Sequence, residues 1–278
     1  MLEQFVYENH KGVRFEGLKH RCFLNYNTLR DYSWDAQQIN NRIAHFKMGF
    51  ATRSIPIAFY GATENETVAA MNRLYSIVDA DIAAKLPGKV WINGQYTPGW
   101  ITGSKKTDYL INKRLCRMEL TLTSDNPMWY AEKLYAFPAG AGTADKVDCG
   151  MGIDYPHDYA HDYALSVVGK AVQCDTAGAA AFRIKIYGEA TNPAVIIAGH
   201  VYSINATIGK GETLLIDSAN KTITLTAANG VKVNMFDSRN RDSYIFEPIP
   251  PGRSVASRQG TFGFDLTLIE KRSEPKWI

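Results

Sequence analysis

The chain has 278 residues, a length that suits two domains better than one. Its hydrophobic content of 45% and charged content of 21% are ordinary for a globular protein. The formal net charge is +3 with both signs mixed along the chain, so no basic arm for nucleic acid is present. No run of about 18 apolar residues exists, and we therefore expect no membrane span.

The first 20 residues are charged and lack the apolar core of a signal peptide. We therefore expect the chain to be made and folded in a cytoplasm. The cysteines are far apart and form no Cys-x-x-Cys pair, so we predict reduced, mostly buried thiols instead of a disulfide frame or a zinc site. These cysteines are Cys22, Cys116, Cys149 and Cys174.

One long helix is predicted from Glu64 to Lys85, with Thr63 as its N-cap and Pro87-Gly88 after its end. Its apolar residues recur at spacings of three and four and would form one buried face. That face comprises Val68, Met71, Leu74, Tyr75, Val78 and Ile82. A second, weaker helix is predicted through the Ala36 to His45 region.

Strands are predicted for the rest of the first half. The segment from Leu115 to Thr123 alternates, with Cys116, Met118, Leu120 and Leu122 on one face, which is typical of a half-buried antiparallel strand. Shorter strands are predicted at Ile55 to Tyr60, Lys89 to Ile92 and Gly99 to Thr102, with a turn at Asn93-Gly94.

A change of composition marks the domain boundary. Residues 138–153 are rich in glycine and alanine and read as a linker between domains at 1–137 and 154–278. After it, short alternating strands such as Phe182 to Tyr187 are separated by turn signals and no helix, which predicts an antiparallel β-sandwich. Asn229-Gly230 predicts a hairpin with a type I′ turn.

The segment from Asp154 to Tyr163 repeats the unit Asp-Tyr-x-His. Its side chains His157, Asp158, His161 and Asp162 could ligate a metal if the segment were helical. Pro156 and the tyrosines disfavour a helix, and an extended four-residue step separates side chains by roughly 13 Å. We therefore prefer an aromatic-rich extended connector and predict no metal site.

This repeat resembles the Asp-Tyr-Pro signature of the distal tail (Dit) proteins of long, non-contractile-tailed phages of Gram-positive bacteria. Further elements follow in the same order, and the resemblance is specific over residues 150–278 and looser over 1–137. These elements are Ile186-Tyr187-Gly188, Asn192-Pro193, Leu215-Ile216-Asp217, Ile249-Pro250-Pro251-Gly252 and Glu274-Pro275-Lys276-Trp277.

The resemblance implies a mainly β protein with a ring-forming N-terminal domain that carries one long helix, and a C-terminal galectin-like β-sandwich. Whether the last residues pack back on the first domain is left open. A homo-hexameric ring would join the tail tube protein to the tail-associated hub protein at the virion tail tip and, in some phages, hold receptor-binding proteins. DNA would pass through the ring without specific binding, as the low net charge allows.

Ring contacts are expected either on the polar face of the Leu115 to Thr123 strand or in a loop from Gly94 to Lys113. Exposed strand edges would be useful in such a ring, because neighbouring subunits can pair with them.

A carbohydrate-binding host-recognition protein is the alternative, with His200, Tyr202 and Asn205 as candidates and no site assigned. An enzyme is not expected, and no catalytic, cofactor-binding or metal residue is predicted. Gly140-Ala141-Gly142 and Gly209-Lys210-Gly211 lack the third glycine of a dinucleotide loop, and Ser254 lacks the context of a nucleophile elbow.

Overall fold

The computed structural model describes residues 4–108, 114–140 and 169–277. The chain divides into two compact units. Unit 1 comprises Met1–Ala131 and Lys271–Ile278, and unit 2 comprises Glu132–Glu270. Most of the predicted linker at 138–153 lies outside the described residues, so the predicted domain boundaries stay a prediction.

Unit 1 holds a single α-helix among its described residues, α1 (Glu64–Ala84), and a 3-10 helix at Leu18–His20. None of the described helices is long and apolar enough to cross a membrane. The strands, in chain order, are β1 (Val6–Glu8), β2 (Arg14–Glu16), β3 (Cys22–Leu24), β4 (Asp35–Ile39), β5 (Arg42–Lys47), β6 (Ala51–Tyr60), β7 (Gly88–Ile92), β8 (Gln95–Asp108), β9 (Leu115–Ser124) and β10 (Trp129–Phe137), the last of which contains the boundary to unit 2.

Long antiparallel ladders organise unit 1. Strand β9 pairs with β6 over its full length and, along its other edge, with the second half of β8. Its predicted alternation is confirmed, because Cys116, Met118, Leu120 and Leu122 are all buried. They join the core that α1 covers.

Helix α1 confirms the predicted segment, and the Thr63 hydroxyl accepts a hydrogen bond from the Glu66 amide at its start. The predicted buried face is wrong in part, because Val68 and Ile82 are exposed. Asp81 occupies the core-facing side instead, since its carboxylate accepts hydrogen bonds from the Tyr7 hydroxyl at 2.6 Å and the His10 amide at 2.8 Å. The spacing of apolar residues cannot identify such a position, because a carboxylate that is buried and hydrogen-bonded is polar.

The predicted helix at Ala36 to His45 is wrong, since β4 and β5 form a hairpin there. Asn40 and Asn41 both adopt left-handed backbone angles, with φ of 51° and 58°. A helix excludes two such residues, whereas a two-residue type I′ turn requires them. The predicted turn at Asn93-Gly94 has the same character, with φ of 51° and 74°, and joins β7 to β8.

Unit 2 continues from the second part of β10 with short strands and a 3-10 helix at Phe236–Ser238. These strands are β11 (Gly169–Cys174), β12 (Ala181–Tyr187), β13 (Ala190–Thr191), β14 (Ala194–Ile197), β15 (His200–Ser203), β16 (Thr207–Ile208), β17 (Thr213–Asp217), β18 (Thr222–Thr226), β19 (Lys232–Asn234), β20 (Gly252–Gln259) and β21 (Gly263–Arg272), the last of which ends in unit 1.

Two antiparallel sheets form the body of unit 2. One has the order β19-β18-β17-β12-β21 and the other the order β11-β20-β14-β15. Phe182, Ile184 and Ile186 of β12 lie in one core with Val195 and Ile197 of β14. The predicted antiparallel β-sandwich and the mainly β class with one long helix are thereby confirmed, and the galectin-like label stays a prediction.

The predicted hairpin at Asn229-Gly230 is present, but its type I′ turn is wrong. Gly230 has a positive φ of 83°, whereas Asn229 does not. The Asn229 side-chain oxygen instead accepts a hydrogen bond from the Val231 amide at 3.0 Å, and the Gly230 amide donates to Ala227. This hydrogen bond from the backbone two residues ahead to the asparagine side chain stabilises a loop that is longer than the predicted two-residue turn.

Candidate assembly surface

The hairpin β4–β5 is the most exposed regular structure in unit 1, and every residue of its two strands is exposed. The two strands pair only with each other among the described residues, so both outer edges carry unpaired backbone groups. A lone two-stranded ribbon is at best marginally stable in water. Free edges and uncovered faces therefore point to a surface that another chain completes.

The register separates the two faces of this ribbon. Ala36 lies opposite Phe46 and Gln38 lies opposite Ile43, with a register shift that leaves Ala44 without an opposite residue. Because of this bulge, Ile43 and Phe46 share one face although they are three residues apart. Ile43 is 55% exposed and Phe46 is 63% exposed. The other face carries mostly charged and polar pairs, which are Asp35 with Lys47, Gln37 with His45 and Ile39 with Arg42. The apolar face suits contact with another protein, and the charged face suits exposure to solvent.

A cavity of about 500 Å³ opens at the base of the hairpin, between Tyr32, Asp35 and Phe50. Arg53 lines it from a core-facing position of β6 and is only 4% exposed. Its guanidinium donates one hydrogen bond to the Pro127 carbonyl at 2.9 Å. Its Nε and Nη1 atoms have no hydrogen-bond partner among the described residues. Burial lowers the pKa of Arg53 to about 10, against the opposing effect of Asp31.

The C-terminal segment is held within unit 1 by Arg30. This guanidinium donates to the Pro275 carbonyl at 2.7 Å, lies 3.5 Å from the Glu274 carboxylate and stacks 3.8 Å over the Trp277 ring. The Trp34 indole adds a hydrogen bond to Ser273 at 3.2 Å. The Glu274 to Trp277 motif therefore packs on the segment that leads into the hairpin.

Ring contact by either of the two predicted regions stays a prediction, and the structure corrects only the loop. The polar face of β9 is partly exposed, but both edges of this strand are paired within unit 1. Glu119 accepts a hydrogen bond from Ser54, and Thr123 bonds to Thr102 at 2.7 Å. The predicted loop from Gly94 to Lys113 is wrong over Gln95–Asp108, which is strand β8; residues 109–113 lie outside the described part of the chain.

The carbohydrate candidates differ in their surroundings. Tyr202 is 1% exposed, its hydroxyl donates to the Glu247 carbonyl at 2.7 Å, and burial raises its pKa. A His200 ring nitrogen lies 2.9 Å from the Tyr244 carbonyl oxygen, and the Asn205 amide donates to Ser238. Tyr202 is therefore a core residue and the His200 ring contacts backbone, whereas Asn205 is exposed and its bond to Ser238 is made by its main chain.

The metal candidates His157, Asp158, His161 and Asp162 lie outside the described residues, and the described residues contain no cluster of metal-ligating side chains. Cys22, Cys116 and Cys174 are buried free thiols, as predicted, while Cys149 is outside the described part. Burial raises the pKa of the Cys22 thiol to about 12. Such a thiol is protonated and inert at neutral pH.

Neither a protein-family model nor a curated protein matches this sequence. Solved structures do match it over nearly the whole chain. The Dit protein of phage SPP1, described as a paradigm of the hub adsorption apparatus of phages that infect Gram-positive bacteria, is 10% identical, with a TM-score of 0.56 over 98% of this chain and 99% of that chain.

Chains of the phage P2 baseplate in its activated conformation, one with calcium and one with strontium, are each 13% identical. Each has a TM-score of 0.60 over 99% of this chain and 100% of the matched chain. The protein thus has the fold of phage Dit and baseplate proteins, and the resemblance predicted from its motifs is confirmed at the level of the fold.

Proposed function

We propose that this protein is a structural component of the distal end of a phage tail. It forms a homo-hexameric ring that connects the tail tube to the tail-tip hub or baseplate and supports host attachment. The observation that carries this proposal is the match of fold over 98% of this chain and 99% of SPP1 Dit. In this proposal the protein acts by assembly with other chains.

The exposed hairpin β4–β5 supplies a ring contact to a second copy of the chain. A closed ring needs a heterologous interface in which one surface of each subunit meets a different surface of the next. The apolar face with Ile43 and Phe46 packs on the neighbouring subunit, and a free hairpin edge is available for strand pairing. The cavity beside Arg53 lies at the base of the same hairpin and would be covered by the same neighbour.

The remaining partners follow from the position of such a ring in a tail. One side of the ring meets the tail tube protein and the other meets the tail-associated hub protein, while receptor-binding proteins attach at the periphery. The net charge of +3 supports passage of DNA through the ring without tight retention. The particle is assembled in the bacterial host cytoplasm and the protein stays in the virion tail.

Negative-stain electron microscopy combined with native mass measurement tests the ring. The purified full chain is expected to form six-fold rings whose mass is six times that of one chain. A monomer that persists at every protein concentration, or a closed ring of another order, would contradict the hexamer.

A pair of double variants tests the hairpin. Ile43→Ser with Phe46→Ser removes the apolar face of the exposed ribbon and is expected to yield folded monomers. Val231→Ser with Val233→Ser is the matched control, because these valines are also 55% and 46% exposed but lie in unit 2. If the Ile43→Ser, Phe46→Ser variant still forms rings, or if the control variant loses them equally, the hairpin is not the ring contact.

A further inference from the structure

A second cavity, of about 480 Å³, lies wholly within unit 2 and has no part in the proposed ring contact. Its volume falls in the range of about 300 to 1,000 Å³ that is typical of small-molecule sites. The segment that follows β19 forms most of its wall. The side chains that matter for binding are Lys221, Phe236, Arg239, Arg241, Asp242 and Tyr244.

Hydrogen bonds to β15 hold this wall in place. The Asn240 side chain donates to the Ser203 hydroxyl at 3.2 Å, and the Ser243 hydroxyl donates to the Val201 carbonyl at 2.6 Å. The Asp242 amide donates to the Asn240 side-chain oxygen at 3.0 Å. The lining is therefore preformed, which lowers the entropic cost of binding a ligand.

Aromatic rings form one side of the cavity. Tyr244 is 51% exposed and packs edge-on against the nearly buried ring of Phe246, with centroids 6.0 Å apart and an angle of 78° between the planes. Phe236 stacks on the same Phe246 ring, and the Arg239 guanidinium lies 4.1 Å over Phe236. An exposed ring held by neighbours is a platform for the weakly polar C–H faces of a sugar or polyol.

Positive charge dominates the lining. Lys221 and Arg241 are exposed and form no ion pair or side-chain hydrogen bond with other described residues. Arg239 lies 3.8 Å from Asp237, which is itself highly exposed. Asp242 is the one carboxylate that lines the cavity among the described residues. Three cations against one carboxylate favour a ligand that carries negative charge, and guanidinium groups match carboxylates and phosphates geometrically.

We propose that this cavity binds a saccharide or polyol unit that carries a carboxylate or a phosphate, as found in acidic glycopolymers. The Tyr244 ring receives the apolar face of the unit, and Lys221 and Arg241 bind its anionic group. This inference does not depend on the hexameric ring, because every residue involved lies in unit 2 of one chain.

Binding of soluble polymers to the full chain, measured by isothermal titration calorimetry, tests the site. Polygalacturonate supplies a carboxylate, poly(glycerol phosphate) supplies a phosphate, and neutral dextran supplies neither. At least one anionic polymer is expected to bind and dextran is not. The anionic polymer that binds more tightly identifies the preferred anion.

Substitutions assign the binding to the cavity. Lys221→Gln with Arg241→Gln is expected to weaken binding roughly tenfold or more. Lys210→Gln with Lys232→Gln, which removes two exposed cations outside the cavity lining, is expected to leave it unchanged. Tyr244→Ala is expected to lower affinity, whereas Tyr244→Phe retains it because the ring remains.

Three results would overturn the proposal. The first is that neither anionic polymer binds to the folded chain. The second is that both charge pairs weaken binding equally, which would indicate general attraction of a polyanion. The third is that Tyr244→Ala and Lys221→Gln with Arg241→Gln both bind like the unmodified chain. Thermal unfolding of each variant confirms that unit 2 remains folded.

Discussion

Two hairpins in this molecule have the same antiparallel pairing and opposite surroundings. In β17–β18 the side chains of Leu214, Ile216 and Ile223 are fully buried, and β12 and β19 pair with the outer edges. In β4–β5 every strand residue is exposed and both edges are unpaired within the described residues. Strand pairing alone therefore does not stabilise a hairpin; a covered face and paired edges do.

Hydrogen exchange should reveal the largest difference between the two hairpins. Amides of β17–β18 are expected to open only with global unfolding, which costs about 5 to 15 kcal/mol for a typical domain. Amides of β4–β5 in the monomer are expected to exchange with almost no protection, because no second layer covers them. Equal protection of the two hairpins in the monomer would contradict this expectation, and slow exchange of β4–β5 only in the assembled ring would show that a neighbouring subunit covers it.

Truncation of one isoleucine in each hairpin should give the next largest contrast. Ile216→Ala in the core is expected to lower the free energy of unfolding of unit 2 by about 2 to 5 kcal/mol, through lost burial and a residual cavity. Ile43→Ala is expected to change the free energy of unfolding of the monomer by less than about 0.5 kcal/mol. Urea denaturation of both variants measures this, and a large loss for Ile43→Ala would mean that the ribbon is covered within the monomer.

The turn of β17–β18 provides the smallest of the three effects. One oxygen of Asp217 accepts hydrogen bonds from the amides of Ala219 and Asn220, and the other accepts from the Asn220 side chain and Arg183. Asp217→Ala is expected to cost about 1 to 3 kcal/mol, because a buried carboxylate that accepts four part-buried hydrogen bonds is removed.

Asp35→Ala, at the exposed start of β4, is the control and should change the free energy of unfolding little. Both are measured by the same denaturation experiment. Similar losses for the two aspartates would show that the hydrogen bonds of Asp217 contribute nothing beyond a surface carboxylate.

Local pattern predicted much of this fold because the relevant signals are short. The helix from Glu64 follows from its capping residue and its spacing of apolar side chains, and β9 follows from strict alternation. The predicted Ala36 to His45 helix is wrong because Asn40 and Asn41 adopt left-handed backbone angles and close a hairpin turn. The buried face of α1 differs from the predicted one because Asp81 is buried there. Its carboxylate is hydrogen-bonded to Tyr7 and His10, which lie more than 70 positions away in the sequence.

The candidate surfaces were less predictable than the fold. Arg53 and Ile43 carry no sequence signal for assembly, and Arg239 to Tyr244 read as an ordinary loop. Their importance depends on their surroundings in the folded chain. Arg53 is buried with two guanidinium nitrogens that have no hydrogen-bond partner in the described part of the chain, and Ile43 lies on an uncovered ribbon. The segment from Arg239 to Tyr244 lines a cavity in which cations outnumber carboxylates. Exposure and pairing are properties of the folded chain and have no counterpart in spacing or composition.

Local propensity and contiguous motifs are enough to predict the mainly β class, one long helix, the antiparallel sandwich of the second half and the resemblance to distal tail proteins. Three other features are visible only in the folded chain: β4–β5 is uncovered, Tyr202 is a core residue while Tyr244 is exposed, and the C-terminal Glu274 to Trp277 segment packs against Arg30. Those outcomes depend on contacts between residues far apart in the chain, and the free energy of such contacts exists only once the core has formed.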